Sequence, residues 1–317
     1  EIPCTHVIHH NILHLELLCR KDVLTRFLIF YKVIPCKEVE MVDNEIFVKL
    51  VMEICNTAMQ PYSNPKSPKK FTQPQLMACL VLKNFWKTTY RGVEANIRFN
   101  PRLVEMMGFK TIPDHSTIQK FADRVATPEA VDSVLAVALQ KAAPEVTTVA
   151  IDSTGLTPSS SSAYFQTRSG RKHKSFVKLS VVVVCGSLFP ICFQVSRGPS
   201  NDKREAYLLM SQARLRTKPE LLLGDAGYDA EWVHKHAREE LGMNTIIPLA
   251  KTASDGSAKG RYRSQMKEKS KIYGMRWHVE SFFSAMKRTT GSVLLSMKPK
   301  NQNTEAALHL LTYAFRL

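Results

Sequence analysis

The sequence predicts an α/β fold: a mixed sheet flanked by helices and preceded by an all-helical N-terminal region. Three observations predict it. Residues 41–143 place apolar side chains at helical spacing between capping residues. Beyond Pro144, short β-branched runs alternate with helical segments in the order β-β-β-α-β-α-β-loop-α. Hydrophobic residues make up 44% of the 317, enough for a core of ordinary size. No apolar run reaches the roughly 18–20 residues a membrane span needs.

The elements follow in order. The first residue is Glu1, no signal-peptide pattern follows, and Met41 is the first methionine. Residues 1–40 are therefore expected to be an upstream or non-native extension, and "VLTRFLIFYKVI" within them is broken by Arg26 and Lys32. Residues 41–59 read as a helix, with apolar positions at Ile46, Phe47, Leu50, Val51 and Ile54. "QPYSNPKSPKKF" reads as a linker. The next helix runs from Thr72 to about Phe85, with Thr72 and Gln75 spaced as a capping box. Short helices are expected at 91–98, 101–107, 116–125 and 128–142, with Ser116 as a cap after the Pro113-Asp114 turn. This basic cluster, 41–143, is expected to be a DNA-binding region. A helix-turn-helix and a plain packing domain both fit it.

Residues 144–317 then form the sheet domain. "VTTVAID" is a strand ending at Asp152, and "SFVKLSVVVVCG" and "LFPICFQVS" form a hairpin through Gly186-Ser187. In the helix "NDKREAYLLMSQARL", Asp202 and Glu205 fit a capping pattern that explains both without chemistry. "ELLLGDAGYD" is a strand running into a turn at Asp225. "DAEWVHKHAREELG" is a helix with Asp229 as its cap and Gly242 past its end. "NTIIPL" is the last strand before a basic loop and a final helix.

Charge narrows the function. The 44 Lys+Arg against 28 Asp+Glu leave +16, which favours a polyanionic partner, nucleic acid first, over a basic but unrelated enzyme. The seven cysteines include no CxxC pair and form no disulfide framework, so they are expected as reduced thiols in a cytosolic protein. His6, His9, His10 and His14 lie near Cys4 without a zinc spacing.

Three carboxylates remain. Asp152 and Asp225 each end an apolar strand and lead into small residues, "AIDSTG" and "LGDAGYD", where α/β sheets collect ligands. Asp also forms turns at such places for purely structural reasons. The third is Glu280 in "KIYGMRWHVESFFSAMKR", residues 271–288. At about 100° per residue from Tyr273, Arg276, Glu280 and Lys287 fall at roughly −60°, −20° and −40°. The four share one stripe beside an apolar face of Ile272, Val279, Phe283 and Met286. Glu280 has no cation at i+4, only Arg276 on its N-terminal side. Three crowded acids repel one another, and divalent cations relieve that repulsion.

These residues resemble the DDE-type insertion-sequence transposases, whose catalytic domain is RNase H-like. The match is Y-x2-R-x3-E-x6-K at Tyr273, Arg276, Glu280 and Lys287, the Y-R-E-K signature of one large group, with "IDSTG" and "GDAGYD" as the first- and second-Asp motifs. "IPDHSTIQKF" also looks like a segment of that group, and the resemblance covers about residues 70–317. It implies that Asp152, Asp225 and Glu280 form a catalytic triad holding two Mg²⁺ or Mn²⁺ ions. It implies that Tyr273, Arg276 and Lys287 contact or position DNA phosphates. The partners it implies are terminal inverted repeats and target DNA, with a homodimer as the active complex, in the nucleoid-associated cytoplasm of a prokaryotic cell. The spacing from Asp225 to Glu280 leaves no room for the large β insertion some relatives carry, which argues against a hairpin step handled by one. Basic stretches extend the footprint: Arg168, Arg171, Lys172, Lys174 and Lys178 before and into a strand, and "KGRYRSQMKEKSK" before the final helix. A solvated basic loop is the plainer alternative for both. The rivals to a transposase are an RNase H-fold nuclease without strand transfer and an inactive or domesticated DNA-binding derivative.

Overall fold

A computed structural model describes residues 38–66, 68–159, 176–250, 259–267 and 271–317. The expectation for residues 1–40 falls almost wholly outside the described residues. So do those for Arg168, Arg171, Lys172 and Lys174.

Helix α1, Glu38–Ala58, passes into a unit that comprises Phe47–Leu317. Then come α2 (Gln73–Phe85), α3 (Tyr90–Arg98), α4 (Pro101–Met106), α5 (His115–Arg124) and α6 (Pro128–Ala142). The capping box at α2 forms as expected: Gln75 N–H donates to Thr72 Oγ1 (3.3 Å) and Thr72 N–H to Gln75 Oε1 (2.9 Å). Gln75 Nε2 also donates to the carbonyls of Met107 and Gly108, tying the end of α4 to the start of α2. The cap of α5 is Asp114 rather than Ser116. Asp114 is extended after Pro113, and its carboxylate accepts the Ser116 N–H at 2.8 Å.

The sheet follows: β1 (Thr148–Pro158), β2 (Phe176–Val184), β3 (Pro190–Gly198), β4 (Leu221–Gly224), β5 (Asn244–Ile246) and β6 (Val293–Leu294). Its order is β3-β2-β1-β4-β5, with β6 beside the far end of β1. Strands β1 to β3 run antiparallel to their neighbours, while β4 and β5 add parallel to β1. This is the RNase H-like arrangement that the motifs imply. Val177 to Val184 are all buried, so both faces of β2 are covered, as expected of a sheet with helices packed on it. The covering helices are α7 (Lys203–Thr217), α9 (Trp277–Thr290) and α10 (Pro299–Ala314). The remaining helix, α8 (Glu231–Lys235), continues into a wider π turn, His236–Glu240.

Four local expectations are corrected. Strand β1 does not end at Asp152; it runs on to Pro158 because β2 pairs with it throughout and β6 pairs with Thr157 and Pro158. Gly155 lets the Phe176 ring close over it: a Cβ there would lie 3.0 Å from the ring. Asp202 has helical backbone angles and caps nothing, whereas Asn201 accepts the Lys203 N–H. Asp229 does not cap α8 either, because Arg263 and the Ala250 N–H hold its buried carboxylate. Finally, residues Lys271–Arg276 form a 3₁₀ turn and α9 starts at Trp277, which leaves Ile272 exposed. Helix α10 is an addition to the expected order. Nearly every residue from Thr304 to Ala314 is buried, so no polar face marks a helical period. Its neighbours include α2, α6, α9, β2 and β3, which places the helical region and the sheet around one core.

Candidate active site

The site forms where β4 stops and β1 continues. Their parallel register pairs Ile151 with Gly224, so Asp152 and Asp225 are the next residues on adjacent strands. Asp152 remains in the sheet, opposite Val181, with its Oδ1 accepting the Ser153 N–H at 2.7 Å. Asp225 leaves the sheet and starts the 3₁₀ turn Ala226–Tyr228, where its Oδ1 accepts the Gly227 N–H at 2.9 Å. Burial raises the Asp152 carboxyl to about 6. The charges of Asp225 and Asp202 add to that, against the Ser153 N–H and Arg276, which lower it.

The third acid approaches from α9. Arg276 Nη1 lies 3.5 Å from Asp152 Oδ2, and its Nη2 makes a short bond to Glu280 Oε1. One guanidinium thus links Asp152 and Glu280. The Tyr273 ring lies under it, 5.9 Å from ring centroid to the guanidinium carbon. Burial, followed by the charges of Asp225 and Glu280, raises the Tyr273 phenol against the pull of Arg276. The 3₁₀ turn changes the predicted stripe but keeps Tyr273, Arg276 and Glu280 together. Lys287 lies seven residues beyond Glu280 on α9, half-buried, and desolvation lowers its pKa.

The basic stretches are less free than expected. Lys178 is buried, not on a DNA-facing surface: its Nζ lies 2.9 Å from both Asp202 Oδ1 and Glu205 Oε2. Arg263 is held by Asp229 at 2.7 Å.

Sequence reasoning missed the groups behind the Asp pair. Asp202 Oδ1 accepts from Ser153 Oγ at 2.6 Å, next to Asp152. Tyr228 is fully buried, and its hydroxyl has no hydrogen-bond partner among the described residues. Burial and then the carboxylates of Asp202, Asp152, Asp225 and Glu205 hold its phenol well above 10. The signal was present in "NDKREA", but a capping role explained both acids, and Asn201 fills that role.

Among the described residues, one trio of His, Cys, Asp and Glu has ligand atoms all within 4.8 Å of one another: Glu94, Asp114 and His115. Its atoms are already engaged. Glu94 accepts from the His115 N–H and from Arg98, and Asp114 caps α5. Asp152, Asp225 and Glu280 are spaced more widely, with Arg276 between the first and the third.

Residues 144–315, more than half of the chain, match the transposase DDE domain family. The chain belongs to that family. Solved structures similar to this transposase include a piggyBac transposase synaptic complex with hairpin DNA: 8% identity over 85% of this chain and 71% of that one, TM-score 0.44. A Mos1 mariner paired-end complex with Mn matches at 13% identity over 99% and 97%, TM-score 0.24, and a pre-cleavage Mos1 transpososome at 13% over 81% and 80%, TM-score 0.23. No curated protein matches the transposase in sequence. Among its described residues, no helix is long and apolar enough to cross a membrane.

The donor set suits a hard divalent cation. Asp152, Asp225 and Glu280 are all carboxylates, and their charge is only partly offset by Arg276. A Cβ on Gly227 would lie 2.8 Å from Asp225 Oδ1, so glycine keeps the space before that carboxylate clear.

Proposed function

We propose that this transposase binds the terminal inverted repeats of its element and catalyses metal-dependent DNA cleavage and strand transfer, with Asp152, Asp225 and Glu280 as its metal-binding catalytic acids. The observation that supports this best is the β1–β4 register, which sets two carboxylates side by side at the crevice, with Arg276 joining the third to them. Two divalent ions, Mg²⁺ or Mn²⁺, would polarise the scissile phosphate and lower the pKa of the attacking water or 3′-hydroxyl. Asp152 and Asp225 are held rigid by strand and turn, so little reorganisation is needed on loading. Glu280 is more exposed and is reached through Arg276.

Arg276, a planar fork suited to bidentate phosphate contact, exchanges its carboxylate partners for a DNA phosphate in the loaded complex. Tyr273 and Lys287 take positions along the same backbone, and Arg168, Arg171, Lys172 and Lys174 add non-specific contact that weakens with salt. Pairing two element ends implies at least a dimer in the active complex. The test is strand transfer of a pre-cut inverted repeat into supercoiled target DNA with Mg²⁺ or Mn²⁺. Joined product is expected. End cleavage without joining would reduce the activity to that of a nuclease, and neither reaction would reject the reading.

A further inference from the structure

Asp202 stands just before α7 with its two carboxylate oxygens in different surroundings. Oδ1 is fixed by Ser153 Oγ at 2.6 Å and by Lys178 Nζ at 2.9 Å. Oδ2 turns to the loop after β4. A Cβ built on Gly227 would lie 3.2 Å from Asp202 Oδ2 and 2.8 and 3.4 Å from the two oxygens of Asp225. The three oxygens therefore gather on one side of Gly227, all within 3.4 Å of that one point, where any larger residue would crowd them. Ser153 connects the arrangement to the other Asp, since its N–H bonds Asp152 while its hydroxyl bonds Asp202.

A second observation is independent of the acids. The Tyr228 hydroxyl is fully buried without a partner among the described residues, and Asp202, Asp152, Asp225 and Glu205 are the charges that act on it. Buried hydroxyls are rarely left unbonded. A ligand that offsets the remaining carboxylate charge and offers the phenol a hydrogen-bond partner fits this arrangement. A hydrated divalent cation does both.

We propose that Asp202 is a fourth carboxylate of the site, joining Asp225 in holding a divalent cation, with the Tyr228 hydroxyl facing the cation's hydration water. The proposal rests on the metal-dependent reading above. Lys178 is the positioning residue: it holds the inner oxygen of Asp202, and Glu205 anchors Lys178 in turn, accepting from Ser196 with its other oxygen.

The test is Mn²⁺ binding to the full chain, with free Mn²⁺ read by electron paramagnetic resonance and no DNA present. Asp225→Asn and Asp202→Asn are each expected to weaken Mn²⁺ binding about tenfold or more. Tyr228→Phe should weaken it less and change the relaxation of water protons by bound Mn²⁺. If Asp202→Asn binds Mn²⁺ like the parent while Asp225→Asn does not, the proposal is overturned and the metal-dependent reading stands. If Asp225→Asn also binds normally, that reading falls and the proposal with it. A lowered melting temperature for Asp202→Asn at unchanged Mn²⁺ affinity marks a purely structural role and overturns the proposal. Should Asp202→Asn fail to fold, Asp202→Glu and Tyr228→Phe carry the test, and unchanged affinity in both is decisive against it.

Discussion

Two buried lysines solve the same problem differently. Lys83 of α2 pairs with Glu305 of α10 at 3.3 Å, under the Tyr90 ring. The other oxygen of Glu305 accepts the Ser296 N–H at 2.8 Å, so that network is closed within the protein. Lys178 of β2 instead holds two carboxylates, and one of them, Asp202, keeps an oxygen turned to the Asp225 loop. A closed pair joins elements of the core. The Lys178 network instead leaves one Asp202 oxygen turned toward the Asp225 loop. The difference separates an ion pair closed within the core from one that, on the proposed reading, supports metal binding, although both lysines are almost equally hidden.

Breaking each network tests that distinction, starting with the largest effect. Lys83→Met leaves Glu305 buried without its cation and should cost about 3–5 kcal/mol in urea unfolding, with Mn²⁺ affinity unchanged in whatever fraction stays folded. Lys178→Met should also destabilise, but added Mn²⁺ should restore more of its melting temperature than of the parent's. Equal Mn²⁺ responses in both variants would erase the contrast. Asp225→Asn should lower Mn²⁺-dependent strand transfer by on the order of 10²–10³-fold with the melting temperature nearly unchanged, measured on pre-cut ends.

The fourth prediction concerns a buried group away from both lysines. His234 is fully buried, bonds Thr245 Oγ1 at 2.7 Å, and desolvation lowers its pKa to about 4. The unfolded chain binds the proton near 6.5, the folded chain only near 4, so protonation favours unfolding between these values. Its stability contribution is complete above pH 6.5 and is lost as pH falls toward 4, by on the order of 3 kcal/mol. Compared with His234→Gln, the parent should show the steeper decline in stability over that window. The smallest effect is Thr72→Ala, which removes one half of the capping box and should cost about 1 kcal/mol without touching metal binding.

Local patterns were readable wherever a residue's partner lay nearby in sequence. The Thr72–Gln75 box, the Gly186 turn and the helices from α2 to α6 follow from contacts within a few residues. Asp152 and Asp225 were identifiable by their flanking apolar runs. Expectations failed where a distant partner intervened. Strand β2 kept β1 extended through "STGLT", Arg263 drew Asp229 from its cap, and Lys178 took up Asp202 and Glu205. Helix α10 escaped because burial on nearly all sides removes the polar face that reveals a helix.

By itself, then, the sequence determined the fold class and the order of most elements, and singled out Asp152, Asp225 and Glu280 as the candidate acids, because apolar periodicity and short motifs encode local geometry. The tertiary structure alone decided which of those acids meet, that Arg276 spans Asp152 and Glu280, and that Asp202 turns toward Asp225 rather than capping α7. Those outcomes depend on strand register and on buried charges finding partners far along the chain. A carboxylate in a low-dielectric setting goes to the nearest cation or donor, whichever element carries it.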